Sequence, residues 1–382
     1  MTLRRSGKDS NWGALLFESA SAGEREVLNE EAFRRMISIE RKRTERSRKP
    51  FLLMLLDAGI HRGSERNGKA LDSIVPMLLS STRETDVIGW YKDRATIGAI
   101  FTELLVDDKD SILSTILTRV STMLRGCLTF EQFDQISISF HFFPDDWDHD
   151  ISGRPSNPAL YPDLSSRDNG RRSLLRLKRV MDILGGTLAL IMCTPLFLLI
   201  ALAIKASSKG PVLFKQQRIG QYGKRFTFLK FRSMHIGNDP GVHKEYVTKL
   251  IAGQAERQAS SGTGEGVYKL TNDRRITQVG KFLRRTSLDE LPQFLNVLKG
   301  DMSLVGPRPA IPYEVAAYET WHRRRVLEVK PGITGLWQVH GRGRVRFDEM
   351  VRLDLQYARS WSPWLDINIL MRTPGAVLKG AY

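Results

Sequence analysis

The sequence predicts an α+β protein built from three parts in series. These are an N-terminal ferredoxin-like domain, a membrane re-entrant helix hairpin, and a small mixed α/β domain. Three observations carry this. Residues 51–143 alternate strand-like and helix-like segments in the order β-α-β-β-α-β. Residues 183–204 form an uncharged run of 22 residues, interrupted at its middle by Thr194-Pro195. Beyond residue 211, short strand-like segments dense in basic and aromatic side chains succeed one another.

Each part can be read in order. Residues 1–30 form an N-terminal arm that is polar and charged and lacks the apolar core of a signal peptide, so the N-terminus is expected to stay in the cytosol. Residues 31–150 read as a soluble domain. A charged helix over 31–49 sets Phe33, Met36 and Ile37 on one face. Residues 51–57, FLLMLLD, are a continuous apolar run of strand length. A helix is expected around 69–82, strands over 86–92 and 95–104 flanking a tight turn at Asp93-Arg94, a helix over 110–125 and a strand over 135–143. Pro, Ser, Asp and Gly are frequent in 144–172, and 151–172 is assigned as a linker. There is no internal repeat. Cys127 and Cys193 match no disulfide or metal spacing, which suits a reducing compartment.

Charge separates the two halves. Of 58 Lys+Arg and 42 Asp+Glu, 35 and 16 lie in residues 171–382, and residues 1–170 keep 23 and 26. The basic field therefore belongs to the C-terminal part and attracts anionic lipid, phosphorylated substrates or nucleic acid. The uncharged run narrows this choice. Residues 173–210 are assigned as a basic flank plus membrane helix. Arg171, Arg172, Arg176, Lys178 and Arg179 precede the run, and Lys205 and Lys209 follow it. Positive charge marks the cytosolic side of a membrane segment, so basic flanks on both sides put both ends there. A helix that enters one leaflet, bends at Thr194-Pro195 and returns satisfies this. The competing reading is an ordinary kinked transmembrane helix.

In residues 211–382, strands are expected over 211–220 and 226–234. The second sets Phe226, Phe228, Lys230 and Arg232 on one face, a placement that calls for something anionic beside it, or for a half-exposed strand whose basic side chains snorkel. The loop 253–267, with SSGTGEG, is assigned no chemistry. The stretch 286–309, TSLDELPQFLNVLKGDMSLVGPRP, sets Asp289 and Glu290 at an expected helix start, followed by Asp301 and by Arg308 between two prolines. Acids beside arginines at such a place suit phosphoryl chemistry on an anionic substrate. The plainer reading is a capping box, Ser287-x-x-Glu290, with Pro292 in the first turn. His235, His243, His322 and His340 show no metal-ligand spacing.

Residues 173–382 resemble the bacterial sugar transferase family, the monotopic phosphoglycosyl transferases. The resemblance runs through Leu177-Lys-Arg-Val-Met-Asp182, the helix broken at Thr194-Pro195, Gln217-Arg218-Ile-Gly220, Phe228-x-x-x-Phe-Arg-Ser-Met234 and Asp273-x-Arg-Ile-Thr277. It continues through Gly280-x-x-Leu-Arg-Arg-Thr-Ser-Leu-Asp-Glu290, the stretch from Pro292 to Pro309, Lys330-Pro-Gly-Ile-Thr-Gly335 and Trp337-Gln-Val-x-Gly-Arg342. In pattern it is similar to the exopolysaccharide-priming hexose-1-phosphate transferases. Larger members carry several transmembrane helices ahead of this region; here a soluble domain is expected in their place.

The resemblance implies transfer of a sugar-1-phosphate from a UDP-sugar to polyprenyl (undecaprenyl) phosphate, giving UMP, at the cytoplasmic face of the bacterial inner membrane. It implies Asp289 as the nucleophile that forms a covalent phosphosugar intermediate, and Glu290, with Asp289, as ligand to Mg²⁺. Arg308, Arg285, Arg232, Lys230 and Arg342 are expected at phosphate or uridine, and Asp366 at a position where the family keeps an acid. Membrane lipids are expected partners, through the anchor at Thr194 and Pro195; Trp321, Trp337, Trp361 and Trp364 suit a headgroup layer, with core packing explaining some of them, and Arg323-Arg324-Arg325 suits anionic lipid or a solvated helix face. Nucleic acid is not.

The N-terminal part resembles a degenerate diguanylate-cyclase (GGDEF-type) domain, in its lead-in Glu40-Arg-x-Arg-x-Glu-Arg46 and in Arg83-Glu-Thr-Asp-Val-Ile-Gly-Trp-Tyr91. Where that family has GGDEF, this chain has Trp90-Tyr-Lys-Asp-Arg94. Cyclase activity is therefore not expected, and a structural, sensing or dimerising role (a homodimer) is. The alternative for the whole chain is a membrane-anchored regulator or scaffold without transferase activity.

Overall fold

The computed structural model describes residues 26–57, 65–104, 109–134, 136–145, 156–237, 241–255, 275–341 and 345–380. The protein is mixed α/β and divides into two compact units, one of residues 1–37 and 49–142, the other of residues 38–48 and 143–382. Most of the N-terminal arm, the start of the linker, the loop 256–274 and Arg342 lie outside the described residues.

In the first unit, helix α1 (Glu30–Ser47) starts where the Asn29 side chain accepts from the Ala32 N–H at 2.9 Å, with Glu30 and Glu31 in its first turn. The helix from Ser38 onward, with Arg48 after it, counts with the second unit. There follow β1 (Phe51–Asp57), α2 (Glu65–Ser81), β2 (Val87–Lys92), β3 (Thr96–Phe101), α3 (Lys109–Cys127), α4 (Phe130–Asp134) and β4 (Ser137–Phe143). The sheet runs β2-β3-β1-β4, with β3 antiparallel to both β1 and β2. Arg94 turns the β2–β3 hairpin at φ 50°.

β1 is apolar at every position but its last because it is covered on both faces. Leu52, Met54 and Leu56 pack with Leu71, Ile74 and Leu78 of α2 and Leu124 of α3. On the other face, Phe33 of α1 lies over Gly89 and Gly98, where a Cβ would come within 2.6 and 2.5 Å of its ring.

In the second unit the described part of the segment assigned as linker, from residue 156, is folded. A 3₁₀ turn (Pro158–Leu160) and α5 (Pro162–Gly170) bury Leu160, Tyr161 and Leu164. The residues that read as loop are its caps: Asn157 accepts from Ala159 N at 3.0 Å, and Pro158 and Pro162 open the two turns.

Next come α6 (Arg172–Ser207), β5 (Leu213–Ile219), β6 (Arg225–Phe231), α7 (Gly241–Ile251), α8 (Gln278–Thr286), a 3₁₀ turn (Leu288–Glu290) and α9 (Gln293–Lys299). The unit ends with β7 (Ser303–Val305), α10 (Pro312–Ala316), α11 (Arg324–Leu327), β8 (Gly332–Thr334), α12 (Leu336–Gly341), α13 (Phe347–Ser360) and α14 (Pro363–Gly380). β5 and β6 form an antiparallel hairpin, and β7 and β8 pair in parallel.

Beyond residue 211 the unit is mixed α/β as expected, but helices outnumber the short strands that the sequence suggests. The helical period was present in Phe347, Val351, Leu355 and Ala358, which α13 buries. In α14 the breakers Pro374 and Gly375 weaken the sequence signal, yet Ile369 is core.

Among the described residues, α6 alone is long and apolar enough to cross a membrane. Leu184, Leu188, Ile191, Met192, Leu198, Leu199 and Leu202 are each at least 60% exposed. Both arms of the helix, before and after Pro195, are fixed to the unit. Asp182 accepts from Ser303 Oγ and Leu304 N, both at 2.9 Å, and Arg179 donates to the Val297 and Leu298 carbonyls at 2.6 and 2.7 Å. Past the proline, Ile200 and Ile204 pack with Phe231 and Leu283.

Candidate active site

The Asp289–Glu290 pair is positioned by α8. Thr277 caps that helix by accepting from Gly280 N at 2.9 Å. Gly280 must be glycine, because a Cβ there would lie 2.0 Å from the Ser233 carbonyl oxygen just beyond β6. The helix ends at Ser287, which is left-handed at φ 56°. The chain then turns through Leu288–Glu290 before α9. Ser287 makes no side-chain capping bond, so the capping-box reading is corrected. In the left-handed region Ser287 closes α8, and its carbonyl, not its side chain, opens the next turn by accepting from Glu290 N at 3.2 Å. Leu288 and Leu291, either side of the two acids, pack against the cluster that Ile200 and Ile204 of α6 form with Phe231 and Leu283. Asp289 therefore sits buried at the foot of the apolar helix, with Glu290 half-buried beside it.

Four basic side chains converge here. Lys230 of β6 and Arg284 of α8 act electrostatically on Asp289, while Arg218 of β5 and Arg308 act on Lys230. Burial, reinforced by the Glu290 charge, pushes the Asp289 carboxyl up to about 6 against the opposing pull of Lys230 and Arg284. Burial holds Lys230 down at about 8, with Asp289 opposing. Lys230 lies 5.1 Å from the Phe214 ring centroid, its partner in the hairpin register. Arg218 is buried, stacks on Phe228 at 5.0 Å and donates to the Pro309 carbonyl at 2.8 Å. Together with the Ile219 N–H bond to Ala310 O at 2.8 Å, this fixes the Gly-Pro-Arg-Pro loop, from which Arg308 projects exposed. Asn296 joins α9 to β6, accepting from Leu229 N at 3.1 Å and donating to Thr227 O at 2.7 Å.

The fold brings together Asp289, Glu290, Lys230 and Arg308 of the expected set. Arg285 lies on the exposed side of α8, and its neighbour Arg284, which sequence reading passed over, is the one that acts on Asp289. Arg232 is corrected. It is buried, and its terminal nitrogens donate to Lys209 O at 2.7 Å, Ser208 O at 2.9 Å and Ser208 Oγ at 2.8 Å, fastening the end of α6. Two positions along β6 from Lys230, the strand has already ended, so the shared face implied by alternation does not extend to it.

Asp366 is corrected too. It is buried, meets Lys178 Nζ at 2.5 Å, and accepts from Tyr357 OH at 2.7 Å and Trp361 Nε1 at 3.1 Å. It ties α6 to α13 and α14. Nor are Trp337 and Trp361 headgroup residues, since both are buried; Trp364 is 73% exposed. The triple arginine is likewise spent internally: Arg323 donates to Asp145 O at 3.2 Å, Arg324 pairs with Glu328 at 2.8 Å and Arg325 with Asp354 at 2.7 Å.

Among the described residues no cluster of three His, Cys, Asp or Glu could cage a metal by itself. The acid pair does fit a Mg²⁺ ion, which takes one or two carboxylates and completes its shell with water and substrate phosphates.

The second unit thus combines a helix long and apolar enough to cross a membrane with a buried acid on the turn after α8 and basic groups around that acid. The sequence matches the bacterial sugar transferase family over residues 173–380, and the chain belongs to that family. It is 44% identical over 209 residues to a galactosyl transferase, CpsE, of Streptococcus agalactiae, covering 54% of this chain and 43% of the relative. It is 44% identical over 220 residues to a UDP-glucose:undecaprenyl-phosphate glucose-1-phosphate transferase of Escherichia coli, covering 54% and 41%. It is 41% identical over 207 residues to the exopolysaccharide production protein ExoY of Rhizobium meliloti, covering 54% and 88%. The chain thus spans less than half the length of the first two relatives and most of the third. Among solved structures, a DGC protein from Thermotoga maritima is similar over 32% of this chain and 85% of that one, at 20% identity and a TM-score of 0.26. A likeness that slight leaves the fold of the first unit resting on its own strand order.

Proposed function

We propose that this chain transfers a hexose-1-phosphate from a UDP-sugar to polyprenyl phosphate, releasing UMP, through a covalent intermediate on Asp289. The observation that carries this is the placement of Asp289, buried between Leu288 and Leu291 at the foot of α6 and within reach of Lys230 and Arg284. The activities named for the family relatives support the same reaction and substrates.

In this reading the UDP-sugar diphosphate lies among Arg308, Lys230 and Arg284, whose charges offset repulsion between two anions. A carboxylate oxygen of Asp289 bonds to the β-phosphorus as the bond to the bridging oxygen breaks, and UMP leaves. A phosphate oxygen of the polyprenyl phosphate then attacks the same phosphorus and frees the carboxylate. Arg218 and Asn296 position the groups that bear charge. Glu290, with Asp289, would hold Mg²⁺, whose chemistry is to neutralise charge on the diphosphate oxygens.

The finer fold belongs to this reading as well. The order β2-β3-β1-β4 supports a ferredoxin-like first domain. The attachment of both arms of α6 to one unit supports a re-entrant anchor at the cytoplasmic face of the inner membrane. The exposed apolar side chains of α6, with Trp364, Met371 and Leu378 of α14, support contact with lipid.

UMP release from a panel of UDP-sugars, with polyprenyl phosphate and Mg²⁺, tests the reaction. Glucose or galactose donors should turn over, and Asp289→Asn should not. Intact mass after incubation with UDP-sugar alone should show a phosphohexose adduct. For the anchor, Leu175→Cys and Ser207→Cys in a Cys127→Ser/Cys193→Ser background should label from the same side of a sealed vesicle. Labelling from opposite sides would mean a span.

A further inference from the structure

The second unit holds an open cavity of about 510 Å³ that the acid pair does not line. All of its lining residues belong to that unit: Glu45 near the end of α1, Trp321, Arg324 of α11, and a face of α13. On α13, Arg352, Gln356 and Arg359 recur at i, i+4 and i+7, so they share one side of the helix. All three are exposed. Arg324 is paired with Glu328, whereas Arg352 and Arg359 have no partner among the described residues. Glu45 is unusual in the opposite sense. Its side chain is only 14% exposed, yet its ion-pair partner, Arg324, stands 3.9 Å away. Burial accordingly raises its carboxyl above the ordinary range.

We infer that this cavity is a binding site for a guanine nucleotide, distinct from the sugar-transfer site. Two free guanidinium groups suit a phosphate, which they can hold by charge-assisted bonds. The half-buried Trp321 indole offers a face on which a base stacks. The under-partnered carboxylate selects the base. Guanine presents two adjacent N–H donors on its Watson–Crick edge, from N1 and the exocyclic amine, which a carboxylate accepts together. Adenine presents an acceptor beside one donor there, and uracil sets its single donor between two acceptors, so both leave Glu45 facing a lone pair. The volume is in the range of small-molecule sites.

The site also lies close to the machinery of transfer. The opposite side of α13 carries Asp354, ion-paired at 2.7 Å with Arg325, whose Nη2 is 3.5 Å from the carbonyl oxygen of Arg308. A ligand in the cavity is one helix away from the loop that presents Arg308.

The test is equilibrium binding of GMP to the full chain in detergent, with AMP, UMP and inorganic phosphate as comparators. GMP should bind more tightly than the other three. Arg352→Ala/Arg359→Ala should weaken it about tenfold or more. Glu45→Gln should erase most of the preference over AMP while phosphate binding stays as it was. Asp289→Asn should bind GMP like the wild type, and a UDP-sugar should not displace it. The idea fails if the wild type does not bind GMP below about 1 mM, if AMP binds equally well, or if the double variant, folded by circular dichroism, binds GMP unchanged. Displacement of GMP by a UDP-sugar would put the nucleotide in the transfer site and also overturn the inference. None of these readouts needs catalytic turnover, so they stand whether or not the proposed reaction does.

Discussion

Asp289 is held in an environment that opposes its own charge. It is buried, Glu290 stands beside it, and only Lys230 and Arg284 pull the other way. Its folded-state carboxyl titrates at about 6, above the ordinary range, so the native chain takes up a proton that the unfolded chain has already lost. The sign follows: stability contributed by this group is present at acid pH and falls as pH rises toward 6. Asp289→Asn should therefore stabilise the fold by about 1–3 kcal/mol at pH 8 and by little at pH 4, measured by thermal or urea unfolding, while abolishing transfer. A stabilised inactive variant is the signature of an acid kept for chemistry. The same two groups shape the rate. If Asp289 must be ionised and Lys230 charged, UMP release should rise as pH passes about 6 and decline above about 8. A flat profile over that range would remove one of the two from the reaction.

At the scale of elements, the fixings of α6 decide how the site is held. Lys178 reaches Asp366, Tyr357 and the Val305 carbonyl, so one buried ion pair joins three elements to the base of that helix. Asp366→Ala would leave Lys178 charged without a counter-ion and should cost about 3–5 kcal/mol, whereas Lys178→Met/Asp366→Leu should recover much of it. Unfolding curves of the three proteins check this. A change in KM for the UDP-sugar at unaltered stability would instead return Asp366 to the substrate. The elements of the first unit other than the short α4 were legible by pattern, to within a few residues at most ends, because each strand carries a continuous apolar or alternating run. The C-terminal helices were less so. Short, basic helices such as α11 have little periodic signal, and their arginines are satisfied by Glu328 and Asp354, residues whose role only packing creates.

For the molecule as a whole, the proposed membrane contact would draw on both charge and apolar surface. The basic excess lies beyond residue 170, and salt screens attraction of that kind to anionic lipid. The exposed flank of α6 does not depend on salt. The protein should therefore stay with vesicles in high salt, and Leu188→Lys/Met192→Lys should release it, as read by flotation. Retention of the double variant in high salt would shift the anchoring to α14.

The linear chain by itself determined the acid pair, the apolar run with its central proline, the Gly-Pro-Arg-Pro loop and the family, because these are local: each is written in adjacent residues. Only the tertiary structure decided which basic groups serve the acids. Arg284 and Arg285 are equivalent neighbours in sequence, and the turn of α8 sends one toward Asp289 and leaves the other exposed. Lys230 and Arg232 alternate on paper, yet the strand ends between them, so one faces an acid and the other closes a helix. Spacing along the chain cannot record where an element stops or what it meets, and those two facts fix the direction and partners of every long polar side chain.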